Sequence, residues 1–211
     1  MTNSDQWAAA VLPPCYRVAG ARLRPLTLGH LIVLSRFESP MVRQVPGFSG
    51  LGDLTLALWV CSRDWRNAFY GFDRPWGRLW RWWMAIVLEA DFDRHLAGFT
   101  EWLGIQQQGP DLWIKDGSGG GSRGACSCCV LVVSLVKRLG LSWSDALDMP
   151  VAQALWAHWT AIEDDGLVQI VSDSEKAAAD EAERLAADPE AIARLEAQFA
   201  HVLPKNRGAK A

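Results

Sequence analysis

The chain has 211 residues, half of them hydrophobic and 21% charged, with a net charge of −3. That balance fits one folded domain with an appendage, not a disordered chain, and gives no general attraction to nucleic acid or anionic lipid. Twelve tryptophans against two tyrosines set a demand, since each indole has a large area to bury and an N–H to satisfy. The chain therefore needs a thick aromatic core between helices, or an apolar surface made for another protein.

Met1 to Pro14 lacks the basic run and long apolar core of a secretory signal and reads as a flexible arm. Cys15 to Leu23 suits a short extended segment. Thr27 caps a helix running to about Phe37, with Leu26 and Leu31 placed as a hydrophobic staple, and Ser39-Pro40 stops it. Val45 to Gly52 is a Gly/Pro loop. Asp53 caps a second helix that shows Leu54, Ala57, Leu58, Cys61 and Trp65 at helical spacing and closes at Gly71. Asp73 and Pro75 open a long helix, RPWGRLWRWWMAIVLEA, with Leu79, Trp80, Trp83, Ile86, Val87 and Ala90 on one side. Asp91 begins another, bearing Phe92, His95, Leu96, Phe99 and Leu103, and Gly109-Pro110 ends it.

Asp111 to Lys115 is short and extended, and Gly117 to Gly124 is a flexible loop. A helix resumes near Ala125 and ends at Leu139, where Gly140 supplies a left-handed residue. Ser142 caps a short helix, with Asp145 three residues on. Met149-Pro150 ends that helix and starts the next, which carries Val151, Ala154, Leu155, His158, Trp159 and Ile162 as far as Gly166. Leu167 to Val171 is extended. From Ser172 the chain turns to Ala, Glu, Asp, Lys and Arg, with a second helix start at Asp188-Pro189-Glu190 and a disordered end from Lys205. The expected fold is mainly α: a compact domain of about six or seven helices with minor β over residues 15–171, and a charged helical tail over 172–211.

No stretch carries a catalytic pattern in the context it needs. Gly120-Gly121-Ser122-Arg123-Gly124 has the GxSxG spacing but follows no clear strand, so it does not read as a nucleophile elbow, and Gly119-Gly120-Gly121-Ser122 lacks the Lys-Ser/Thr of a phosphate loop. His30, His95, His158 and His201 show no metal-ligand spacing, and His158 reads as a core histidine bonded to a carbonyl. Cys126, Cys128 and Cys129 invite a metal or redox site, but no nearby ligand completes the set, and on a helix Cys128 and Cys129 join Val132, Leu135 and Val136 in an apolar stripe. Five cysteines, an odd number, do not make a disulfide framework, so a reducing cytoplasm is expected. Glu163, Asp164 and Asp165 read as a solvated helix end, or as a site for a basic partner.

One passage is chemically distinctive. Arg63, Arg66, Arg74, Arg78 and Arg81 interleave with Trp65, Trp76, Trp80, Trp82 and Trp83. Arginines neutralise phosphates and indoles stack on bases, so segment 63–83 suits single-stranded nucleic acid. The same residue types dominate protein interfaces, and the acidic balance of the chain favours that reading. Trp76, Arg78, Trp80, Arg81 and Trp82 are the expected partner contacts. Leu155, Trp156 and Trp159 are expected in the core. No cofactor and no metal is expected.

Three passages together carry a resemblance: LRPLTLGHLIVLSRFESP, then GDLTLALWVCSRDW, then LGLSWSDALDMPVAQALWAHWTAIEDDG. Their order and wording resemble helical tail assembly chaperones of bacteriophages and prophages, over roughly Leu23 to Gly166. The resemblance implies a non-enzymatic protein of the bacterial host cytoplasm that binds the tape-measure protein and helps tail-tube subunits polymerise around it. It implies no catalytic residues and no membrane, leaves a homo-oligomer open, and allows short and frameshifted long forms. A structural tail component is the neighbouring alternative. The Gly-Ser loop and the Arg/Trp passage lie outside the resemblance.

Overall fold

The computed structural model describes residues 3–11, 15–43, 50–114 and 127–187. They are mainly helical: α1 (Asn3–Val11), α2 (Leu28–Arg36), α3 (Pro40–Arg43), α4 (Leu51–Cys61), α5 (Trp65–Gly71), α6 (Pro75–Glu89), α7 (Phe92–Gln106), α8 (Ser127–Leu139), α9 (Trp143–Asp148), α10 (Val151–Asp164) and α11 (Asp173–Ala187). Two antiparallel strand pairs complete the order. β1 (Tyr16–Val18) pairs with β2 (Ala21–Leu23), and β3 (Leu112–Ile114) pairs with β4 (Val168–Ile170). The turn between β1 and β2 uses Ala19 and Gly20, both at positive φ, as a two-residue hairpin requires.

The chain divides into two compact units, Met1–Ile170 and Val171–Ala211. In the first, α2 and α4 lie at the centre, and Leu26, Leu28, Leu34, Leu54, Leu58 and Val60 are sealed from solvent. Phe99 and Trp102 of α7 and Leu135 of α8 are sealed as well. In the second, the described part is α11, which opens on a reciprocal cap. The Ser172 N–H donates to Glu175 Oε2 at 2.8 Å, and the Glu175 N–H returns to Ser172 Oγ at 3.3 Å.

Local signals set most boundaries. Thr27 caps α2 as expected, and Ser142 Oγ caps α9 by accepting from the Asp145 N–H at 3.1 Å. Gly140 and Gly166 sit at φ +67° and +74°, where other residues are strained. Four elements depart from the sequence expectation. The single helix expected from Asp53 to Gly71 is two, because Asp64 turns extended and caps α5 through the N–H groups of Arg66 and Asn67. The first of these begins at Leu51 with Gly50 as its N-cap, and Asp53, the third helical residue, caps it from inside by accepting the Gly50 N–H on Oδ2 at 2.9 Å. α3 was not expected at all.

The expected flexible arm contains α1. Trp7 meets Trp156 edge-on at 5.8 Å, and Gln153 Nε2 donates to the Ala10 carbonyl at 3.0 Å, so α1 is docked on α10. Of the loop expected over Val45–Gly52, residues 45–49 lie outside the described residues and Leu51 and Gly52 are helical; the expected loop over 117–124, the helix start at Ala125, Cys126, and the tail beyond Ala187 also lie outside the described residues.

Candidate functional site

The three passages of the resemblance meet at one junction. The start of α2 and the start of α10 form an antiparallel bridge between Thr27 and Pro150. The Leu28 N–H donates to the Met149 carbonyl at 3.1 Å, and the Val151 N–H donates to the Leu26 carbonyl at 2.7 Å. Each helix thus satisfies an N-terminal N–H that its own turns cannot reach. The Leu26 N–H is taken by Gln106 Oε1 of α7 at 3.0 Å.

His30 fastens the middle passage to the first. The Thr27 N–H donates to Nδ1 at 3.1 Å, so that nitrogen carries no proton, and Nε2 donates to the Arg63 carbonyl at 2.7 Å. Burial holds the His30 pKa below the ordinary imidazole range. Beside it, a Cβ on Gly29 would stand 2.5 Å from the Trp65 indole, so only glycine admits that ring. Trp65 Nε1 donates to Asp148 Oδ1 at 2.7 Å, and Arg66 reaches the same oxygen at 2.6 Å and Ser144 Oγ at 2.9 Å. These bonds hold the Asp148 carboxyl below its usual range. The Thr-Leu-Gly-His, Arg-Asp-Trp and Asp-Met-Pro words are therefore clasps between helices.

The other Arg/Trp residues build a different object. α6 starts hard against the end of α5: a Cβ on Gly77 would lie 2.3 Å from the Gly71 carbonyl oxygen and 2.8 Å from that of Phe72. Trp80 packs edge-on against Trp59 at 5.4 Å, and Arg63 lies over both rings, at 3.6 Å from Trp59 and 4.6 Å from Trp80. Trp59 itself is buried and gives its indole N–H to the Ala68 carbonyl at 2.9 Å. Gly77, Trp80, Met84 and Leu88 thus make the inward side of α6.

The outward side is also apolar. Trp76 is 79% exposed, Trp82 64%, Trp83 51%, Leu79 52% and Ile86 50%. Their spacing is a second helical stripe. Tyr70 and Phe69 of α5 stand exposed before its N-terminal end, and Arg74 and Arg78 are exposed along it.

Of the five expected contacts, Trp76, Arg78 and Trp82 face solvent. Trp80 and Arg81 turn inward. Arg81 lies 3.5 Å from the Phe72 ring centroid, and its Nη1 is buried with no hydrogen-bond partner among the described residues. Burial lowers its pKa, as it does for Arg63. Leu79, Trp83 and Ile86, which helical spacing groups with Trp80, stand outside while Trp80 turns in. The packed side is fixed by Gly77, whose lack of a side chain marks the closest helix approach. An apolar residue on both sides of one helix is the signal that could have found the stripe.

Most of the remaining candidates are held by contacts within the chain. His158 shares a hydrogen bond with Ser134 Oγ at 2.8 Å, rather than with the expected carbonyl, and lies edge-on to Trp159. Burial lowers its pKa. Leu155, Trp156 and Trp159 are half-buried. Cys128 is buried and Cys129 exposed. Arg138 pairs with Asp165 and donates to the Ala161 carbonyl, while Glu163 accepts from the Ile170 N–H at 2.7 Å. Two members of the acidic cluster are thereby held within the chain. Among the described residues no group of three or more His, Cys, Asp or Glu converges as a metal site, and no helix is long and apolar enough to cross a membrane. Compared with known proteins, the chain matches no family model, no curated protein and no solved structure.

Proposed function

We propose that this is a non-enzymatic assembly chaperone of the bacteriophage or prophage tail type. It binds the tape-measure protein through the outward face of α6 and assists tail-tube subunits to polymerise around it in the host cytoplasm. One observation carries the reading: Trp76, Leu79, Trp82, Trp83 and Ile86 are half or more exposed on one face of a well-seated helix. A client helix laid on that face buries its own apolar stripe against rings already held in place, and rigid indoles lose little side-chain entropy on contact. Exposed Arg74 and Arg78 beside the stripe add donors for client carboxylates. The resemblance names the client, and the junction gives its motif words a structural role that needs no catalytic chemistry.

Co-expression with a tape-measure protein from the same phage or prophage tests this. The client is expected to stay soluble and co-purify, and Trp76→Ser with Trp82→Ser is expected to abolish the effect. A client equally insoluble with and without the chain overturns the proposal. The exposed arginines beside exposed indoles also favour a second reading, single-stranded nucleic-acid binding through segment 63–83. Retention on filters that falls steeply with salt supports it, and no retention at low salt ends it.

A further inference from the structure

The outward face of α6 is complementary to itself. Arg78 stands exposed in its N-terminal half, with Arg74 at its N-cap, and Glu89 stands exposed as its last residue; Asp91 and Asp93 follow it, Asp91 already paired with Arg94 at 3.6 Å. Between them run Trp76, Leu79, Trp82, Trp83 and Ile86. Arg78 and Glu89 are about three turns apart and so lie along one edge of the stripe. When two copies of such a helix face each other antiparallel about a two-fold axis, that edge of one lies beside the same edge of the other.

With the axis near Trp82 and Trp83, these two indoles cross between copies and Leu79 meets Ile86 of the second copy. Arg78 then comes level with Glu89 of the second copy to within about a turn, on both sides of the axis. A parallel two-fold pair would put Arg78 and Glu89 of the two copies on opposite edges, where they cannot meet, and would set the helix dipoles side by side in the same sense, which is unfavourable.

We infer that a second copy of this chain occupies the outward face of α6, in an antiparallel two-fold pair closed by Arg78–Glu89 contacts at both ends. The exposed portions of the five apolar side chains supply roughly 500 Å² per copy, so the pair buries about 1,000 Å², the lower bound for a specific interface. The pair is therefore weak and exchanges readily. It covers the same stripe that a client needs, so it keeps the aromatic face out of water until a client displaces the second copy. The pairing stands on the face alone; that it regulates client access rests on the chaperone reading above.

Sedimentation equilibrium of the full chain without any client, from about 1 to about 200 µM, tests the pair by mass action. A reversible monomer–dimer equilibrium is expected. Arg78→Glu and Glu89→Arg each place two like-charge contacts in the dimer, one on either side of the axis, and should each weaken it about tenfold or more. The double variant Arg78→Glu/Glu89→Arg restores both contacts with their signs exchanged and should return the dissociation constant to within about threefold. Trp82→Glu should leave a monomer with the wild-type circular dichroism spectrum.

A wild-type monomer at the highest concentration overturns the inference, whatever the client assay gives. So does a dimer indifferent to all three charge variants, which would place the second copy on another surface. A monomer whose Trp82 instead engages oligothymidine or anionic vesicles overturns it in favour of those occupants. Failure of client capture with the dimer intact removes the regulatory role and leaves the pair.

Discussion

The junction of α2, α5, α9 and α10 and the outward face of α6 are built from the same residue types and do opposite things with them. At the junction Trp65 has its N–H on Asp148, its ring against Gly29 and a guanidinium 4.2 Å from its centroid. On α6, Trp76, Trp82 and Trp83 enter no ring pair and no indole hydrogen bond among the described residues. Composition treats these indoles alike. A satisfied N–H and a neighbour that leaves room for the ring mark a tryptophan that holds the fold. Exposure on a helix whose other side is already packed marks one that adds little to the fold, and it is these that the proposed function assigns to a partner.

The seating of α6 is the sharpest place to break that contrast. Gly77→Ala would gain about 1 kcal/mol of helix propensity, but its Cβ would meet two backbone oxygens at 2.3 and 2.8 Å. Backbone cannot step aside as a side chain can, so the clash wins and about 3 kcal/mol or more is lost. Urea unfolding should show a lower midpoint at unchanged m. Loss of client capture should accompany it, because the presenting helix is dislodged. Gly29→Ala meets the Trp65 ring at 2.5 Å instead. The ring can tilt, so the cost should be nearer 2 kcal/mol, with the α6 face still able to bind.

His30 sharpens the junction side. His30→Ala leaves the Arg63 carbonyl without its donor and removes the ring that accepts the Thr27 N–H. About 2 kcal/mol should be lost. The same bonds fix the sign of a pH dependence. Folded His30 has its pKa lowered by burial, so below about pH 6.5 the unfolded chain takes up a proton that the folded one refuses. Stability should be full above the unfolded value and should fall as pH drops through it towards the folded value. His158, lowered by the same cause, adds in the same direction. Urea titrations at several pH values check this, and His30→Ala should flatten the slope without abolishing it.

What the sequence made legible is what local rules decide. The cap at Thr27, the cap at Ser142, the left-handed Gly140 and Gly166, the Pro75 start and the short extended pieces all depend on residues a few positions apart. The packed side of α6 was not legible, because periodicity cannot rank two apolar stripes on one helix. What decides between them is Gly77, which scores nothing on any hydrophobic scale. The docking of α1 was missed for a related reason. Its partner, Trp156, lies about 150 residues away, and a nine-residue helix gains too little from its own hydrogen bonds to announce itself. The split at Asp64 was hidden because Trp65 keeps helical spacing with Cys61 across the break. Three motif passages could be read individually, but not their convergence on His30, Trp65 and Asp148.

The smallest expected stability effect separates the two regions most cleanly. Trp76→Ser and Trp82→Ser remove rings that are 79% and 64% exposed, so little buried area is lost and each should change unfolding free energy by no more than about 0.5 kcal/mol. Trp59→Ser, one turn of packing further in, should cost about 3 kcal/mol or more, since Trp59 is 4% exposed and carries the bond to Ala68 and the stack with Arg63. If the face of α6 exists for a partner, the first two variants fold as the wild type does yet lose capture, while the third fails in both assays. A fall in stability for Trp82→Ser comparable with that for Trp59→Ser would mean that the outer indoles also hold the fold. The distinction between a structural and a presenting tryptophan would then collapse.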